Sequence, residues 1–153
     1  MITLEPIGYV RSARRDLLDD DWDAVPATIE LSAMFEPVAL DGLETFSHAE
    51  IVYHFDRVAP DSIERGARHP RGNPRWPRVG IFAQRAKDRP NRLGVTVVAI
   101  TGRQGRTLHV SGLDAVDGTP VLDIKPVLAE FLPRGAIRQP AWSHELMQAY
   151  WNA

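Results

Sequence analysis

Cysteine is absent from the 153 residues. Its absence excludes disulfides, cysteine-ligated zinc, iron–sulfur clusters and thiol catalysis, and fits a reducing compartment. No apolar run approaches the ~18 residues of a membrane span. The opening MITLEPIGYVRSARRD has no basic stretch followed by an apolar one, so no signal peptide is expected. No two glycines stand two apart, which removes the Rossmann dinucleotide fingerprint. A Walker loop, a GxSxG elbow and an HExxH pair are missing as well. Lysine is scarce: of 18 basic residues only Lys87 and Lys125 are lysine. What remains is an ordinary globular composition, 44% hydrophobic and 25% charged. At a length typical of one domain, these features predict a soluble, cytoplasmic protein with residues 1–153 forming a single domain.

The net charge of −2 conceals a segregation. Residues 1–56 carry 12 acids against 3 arginines, whereas residues 57–106 carry 11 arginines and one lysine against 3 acids. Arg57, Arg65, Arg68, Arg71, Arg75, Arg78, Arg85, Arg89 and Arg92 are crowded together. Such a segment, residues 57–92, reads as a polyanion-facing surface. The equally open alternative is a basic loop docked on the acidic N-terminal third.

The periodicity is mainly β. Strand character is predicted over Leu4–Val10, Ala27–Leu31, His48–Val58, Val79–Gln84, Gly94–Ile100, Arg106–Val110 and Val121–Lys125, with Ile51, Tyr53 and Phe55 on one face. TGRQG reads as a five-residue hairpin connection. Residues 62–78 are broken by Gly66, Pro70, Gly72, Pro74 and Pro77 into loop. Only the C-terminus reads as helix, with Trp142, Leu146, Ala149 and Tyr150 on one face. Strands without intervening helices predict a barrel or sandwich.

Three segments are candidates for chemistry. Residues 80–94, GIFAQRAKDRPNRLG, read as a strand entering an arginine-bearing turn and returning. There Arg89, Asn91 and Arg92 are candidate substrate contacts, and Asn91 tolerates left-handed backbone. Residues 111–120 place Asp114 and Asp117 around a turn, where they can accept from a ribose or a cation. Arg11 and Ser12 with Arg14 and Arg15 form a basic step before the acidic run 16–23. Together they describe a ligand pocket built from loops. His48, His54 and Asp56 do not follow common ligand spacings, so no metal site is assigned.

IGYVRS (7–12), LETFSH (43–48), GIFAQR…DRPNRLG (80–94) and LDAVDGTPVLDIKP (113–126) resemble the signature blocks of the TsaA/TrmO family. The resemblance implies a small dimeric β-barrel with a C-terminal extension over about 133–153, using S-adenosylmethionine without a Rossmann fold. It implies N6-methylation of threonylcarbamoyladenosine beside the tRNA anticodon. Cofactor contacts carried over are Arg85, Val95, Asp114, Val116, Asp117 and Gly118. The family's His-Gln pair falls on Asp56-Arg57, and the nearest counterpart of its Pro-Arg-Gln motif is Ala13-Arg14-Arg15. RPNP becomes RPNR, with Arg92 replacing proline.

S-adenosylmethionine carries an activated methyl, so the protein's task is mainly alignment. Asp117, Asp56 and His54 are candidate bases for the acceptor nitrogen. Asp114, Asp117, Tyr53 and Trp22 are candidate electron-rich neighbours of a sulfonium. A small-molecule acceptor, or S-adenosylmethionine binding without turnover, are the alternatives. Trp76, Trp142 and Trp151 in loop and tail favour a homodimer.

Overall fold

The computed structural model describes residues 1–23 and 25–152. Six antiparallel strands close a barrel: β1 (Gly8–Ser12), β2 (Pro26–Leu31), β7 (Thr107–Ser111), β6 (Leu93–Gln104), β3 (His48–His54) and β8 (Pro120–Pro126), in that spatial order. β8 returns to pair with β1. A two-stranded ribbon, β4 (Ala67–Arg68) with β5 (Val79–Gly80), brackets the proline-rich loop. A short helix, α1 (Ala141–Leu146), lies near the C-terminus. Among the described residues no helix is long and apolar enough to cross a membrane.

The core follows from alternation. Ala49, Ile51 and Tyr53 of β3 point inward, and Val10, Ile29, Val98, Leu108, Val110 and Val121 meet them from the other strands. Leu113 and Ala115, from the loop after β7, join the same cluster. That loop therefore plugs the barrel as well as connecting two strands.

Several sequence boundaries move for identifiable reasons. β1 begins at Gly8 rather than Leu4, because pairing with β2 starts at Gly8 opposite Leu31. β3 stops at His54, where Phe55 and Asp56 enter a turn. The strand expected over Val79–Gln84 is cut to two residues, followed by a 3-10 turn over Ile81–Ala83. β4 offers only Ala67 and Arg68 as partners, and Phe82 is exposed. Residues 80–94 are thus not a hairpin but two 3-10 turns, the second over Pro90–Arg92, leading into β6. TGRQ belongs to β6, a register shift between Ile100 and Gly102 absorbs the bend, and Gly105 and Arg106 alone make the turn. The helix ends at Leu146, so Ala149 and Tyr150 lie in turns beyond it.

Gly94 sits opposite Tyr53 in the β3–β6 ladder. A Cβ there would lie 2.5 Å from the Tyr53 ring and 2.8 Å from Phe55. The glycine is the space in which the Tyr53–Phe55 edge-on pair, with centroids 5.3 Å apart, is accommodated. We expect Gly94→Ala to destabilise the chain by about 1–3 kcal/mol through overpacking. Denaturant unfolding checks this, and an unchanged midpoint would contradict the packing argument.

Candidate functional site

The loop of residues 112–119 is tied to β1 at one end and to the barrel interior at the other. The amide of Gly118 donates to the Val10 carbonyl (2.8 Å) and that of Asp117 to the Arg14 carbonyl (2.8 Å). Asp117 Oδ1 accepts from the Ser12 amide at 3.0 Å. Gly118 has φ +85°, a left-handed turn that its lack of a Cβ permits. With Leu113, Ala115 and Val116 buried around it, Asp114 is held at the barrel's end.

Three hydroxyls converge on the Asp114 carboxylate. Tyr53 donates to Oδ1 at 2.8 Å and Thr96 donates to the same oxygen. Tyr150, from the C-terminal tail, donates to Oδ2. Burial, and then the Asp114 charge, push the Tyr53 phenol far above the ordinary tyrosine range. The same two causes raise Tyr150, against the Arg85 and Arg71 guanidiniums. Both phenols are therefore fixed donors, not bases. Tyr53 serves as core and as site at once, its ring packed inside the barrel and its hydroxyl on Asp114.

Beside this cluster β6 presents an open edge. Phe55 N–H donates to the Arg92 carbonyl and Ile100 N–H to the Ser47 carbonyl. The register between them directs the backbone groups of Gly94, Thr96 and Val98 toward β3. Those of Val95 and Val97 face the opposite way, where β7 pairs with β6 only from Ala99 onward. Arg85 Nη2 donates to the Val95 carbonyl at 2.7 Å. Arg85, Val95 and Asp114 thus come together around the inward-facing Thr96.

The first loop closes the other side. Arg14 lies 4.2 Å above the Trp22 ring and donates to the Asp20 and Asp21 carbonyls at 2.7 and 3.0 Å. Trp22 is buried, with one face covered by the Arg14 guanidinium. Arg15 is exposed and lines, with Ser12, Thr28, His109 and Asp117, an open groove of about 530 Å³ beside β1, β2 and β7. The Arg15 carbonyl accepts from Arg57.

His54 and Asp56 stand at the end of β3, and among the described residues no hydrogen bond joins either side chain to Asp114 or Asp117. Burial and the Arg92 charge lower the His54 pKa, against Asp56. Both causes disfavour the charged imidazolium. Of the three residues expected to touch substrate, Arg89 and Arg92 each spend one guanidinium nitrogen on backbone carbonyls and Asn91 is exposed. Arg89 donates to the Gln84 carbonyl at 2.6 Å, Arg92 to the Val58 carbonyl at 2.7 Å, and Asn91 takes φ +63°.

Much of the arginine segment docks on the acidic loop and its own carbonyls. Arg71 makes a two-pronged contact to Asp20 (3.0 and 3.2 Å), Lys87 lies 3.8 Å from Asp19, and Arg68 pairs with Asp88 at 3.0 Å. Arg65, Arg75 and Arg78 are exposed, and their guanidiniums have no hydrogen-bond or ion-pair partner among the described residues. Thr96 and Tyr150 were not singled out as site residues by the sequence. An inward threonine opposite a strand aromatic is a weak signal, and Tyr150 reads there only as a helix-face residue.

Residues 20–131 match the sequence model of the tRNA-methyltransferase O N-terminal domain. A Pseudomonas aeruginosa protein provisionally named an S-adenosylmethionine-dependent methyltransferase is 41% identical over 134 residues, 81% of this chain and 56% of that protein. A human tRNA (adenine(37)-N6)-methyltransferase is 39% identical over 93 residues, 61% of this chain and 21% of that protein. The crystal structure of TrmO from Pseudomonas aeruginosa superposes with a TM-score of 0.75 at 31% identity, covering 93% of this chain and 62% of that one. The chain spans little more than half the length of these Pseudomonas relatives.

The hydroxyl cage has a spectroscopic consequence. While the protein is folded, neither Tyr53 nor Tyr150 should contribute to tyrosinate absorbance near pH 11. Because both pKa values are raised on folding, their contribution to stability is present below an unfolded pKa of about 10 and is lost above it. Their ionisation should therefore coincide with alkaline unfolding. Titration of either phenol near its ordinary pKa in folded protein would contradict the cage.

Proposed function

The chain belongs to the tRNA-methyltransferase O N-terminal-domain family, and from that membership we propose that it is an S-adenosylmethionine-dependent methyltransferase acting on N6 of threonylcarbamoyladenosine beside the tRNA anticodon. The observation that carries this reading is the gathering of Arg85, Val95, Asp114 and the Asp117–Gly118 turn at one end of the barrel. The donor set fits a sulfonium nucleoside. Asp114 supplies negative charge, and the outward-directed backbone groups of Val95 and Val97 offer hydrogen bonds to the edge of a base. When bound, S-adenosylmethionine supplies the activated methyl group.

The chain's own residues then bind and orient. The Asp117–Gly118 turn, fixed to β1, holds the loop while Val116 gives it an apolar wall. One oxygen of the Asp117 carboxylate accepts from the Ser12 amide. Of the three candidate bases we favour His54, whose imidazole is pushed toward its neutral form beside Asp56 and Arg92. Within the 57–92 segment, Arg65, Arg75 and Arg78, exposed and without a guanidinium partner among the described residues, would meet tRNA phosphates. The exposed outward side chains of Leu93, Val95 and Val97 on β6 suit a second copy of the chain, and we include the homodimer and a cytoplasmic location in the proposal.

A second reading, a small-molecule acceptor, is favoured by how many arginines are turned onto their own chain and by the acidic loop beside the site. Calorimetric titration with S-adenosylmethionine, with Arg85→Ala and Asp117→Ala in parallel, tests the shared cofactor step. We expect micromolar binding weakened in both variants, and no binding would remove the methyltransferase reading. Methyl transfer to threonylcarbamoyladenosine-bearing tRNA, weakened by salt and by replacing Arg65, Arg75 and Arg78 with alanine, separates the two acceptors. Light scattering at micromolar concentration should give a dimer, and a monomer would remove that part.

A further inference from the structure

Residues 141–152 lie outside the 20–131 family match, yet their tail is built into the site. The Trp22 amide donates to the Tyr150 carbonyl at 2.8 Å and the Asp21 amide to the Ala149 carbonyl at 3.1 Å. Trp76 Nε1 donates to Glu145 Oε2 at 2.8 Å, so the proline-rich loop grips the same segment. The Tyr150 ring packs edge-on against Trp151, with centroids 4.9 Å apart. Its hydroxyl reaches Asp114 Oδ2. A closed circuit results, running Asp114–Tyr150–Trp22–Arg14–Asp117 through three separate loops.

We propose that Tyr150 is a positioning residue, whose hydroxyl fixes the Asp114 carboxylate for ligand binding while the tail forms one wall of the site. The inference rests on the cofactor reading above. An ionised carboxylate offers about four lone-pair sites. Tyr53 and Thr96 occupy Oδ1 and Tyr150 occupies one site on Oδ2, leaving one Oδ2 site for a ligand donor. With Tyr150 in place the carboxylate cannot rotate freely, so that remaining acceptor keeps a single direction. The ligand group it would take is a hydroxyl or ammonium donor. The wall comes from residues outside the family match, so the proposal places a determinant of ligand geometry in the tail.

Tyr150→Phe in the full chain removes only the hydroxyl and keeps the ring. We expect S-adenosylmethionine affinity by calorimetry to fall about tenfold, the scale of one lost hydrogen bond to a charged group. Hydrogen exchange at the Asp21 and Trp22 amides should quicken several-fold as the tail loosens. Tyr150→Ala should weaken binding further. A wild-type chain that binds while Tyr150→Phe binds equally well overturns this inference and leaves the cofactor reading intact. Tighter binding by Tyr150→Phe also overturns it, since the tail would then compete with the ligand. A wild-type chain that does not bind overturns the cofactor reading, and this inference with it.

Discussion

A carboxylate placed at the end of a hydrophobic barrel is costly unless its charge is met by donors. Asp114 is met by three hydroxyls, and each comes from a different part of the chain. Tyr53 belongs to β3, Thr96 to β6 and Tyr150 to the tail, so satisfying one side chain fixes the relation of three elements. Gly94 leaves room for the Tyr53 ring, and the left-handed turn at Gly118 brings the loop back to β1. The barrel core and the proposed binding surface therefore share their central residues. A change that disturbs one is felt by the other.

Charge segregation has a related outcome. The acidic first loop and the basic middle segment meet through Arg71 with Asp20 and Lys87 near Asp19, while Arg85, Arg89 and Arg92 turn to backbone carbonyls. This docking steadies the walls of the site and uses up cations that would otherwise face a polyanion. Among the described residues, the guanidiniums in this segment that contact neither acids nor backbone are those of Arg65, Arg75 and Arg78.

The strands were legible because alternation is a local property; it left barrel and sandwich open, and the family resemblance supplied the barrel. Ile51 and Tyr53 identify β3, and the run from Gly94 identifies β6 without any knowledge of their partners. Boundaries that depend on a partner were not legible. Val79–Gln84 has the apolar content of a strand, but β4 is too short to pair with it. TGRQ reads as a turn, yet a register shift lets it continue β6. In the site, Asp114, Asp117, Arg85 and Val95 stood out through their motifs. Tyr150 did not, because its contact with Asp114 spans 36 residues of sequence and no local pattern announces it. The carbonyls that Arg89 and Arg92 reach were not legible either, because a sequence does not reveal which backbone groups lie near a guanidinium.

The central claim is that the ligand site is the Asp114 end of the barrel, and not the open groove beside β1, β2 and β7. The most direct measurement is amide chemical-shift mapping during titration with S-adenosylmethionine. The account predicts that shifts concentrate at Arg85, Val95 to Val97 and Asp114 to Val116, with a smaller response at Trp22 and Tyr150. Shifts confined to the groove lining, Ser12, Thr28, His109 and Asp117, would place the ligand there and contradict it.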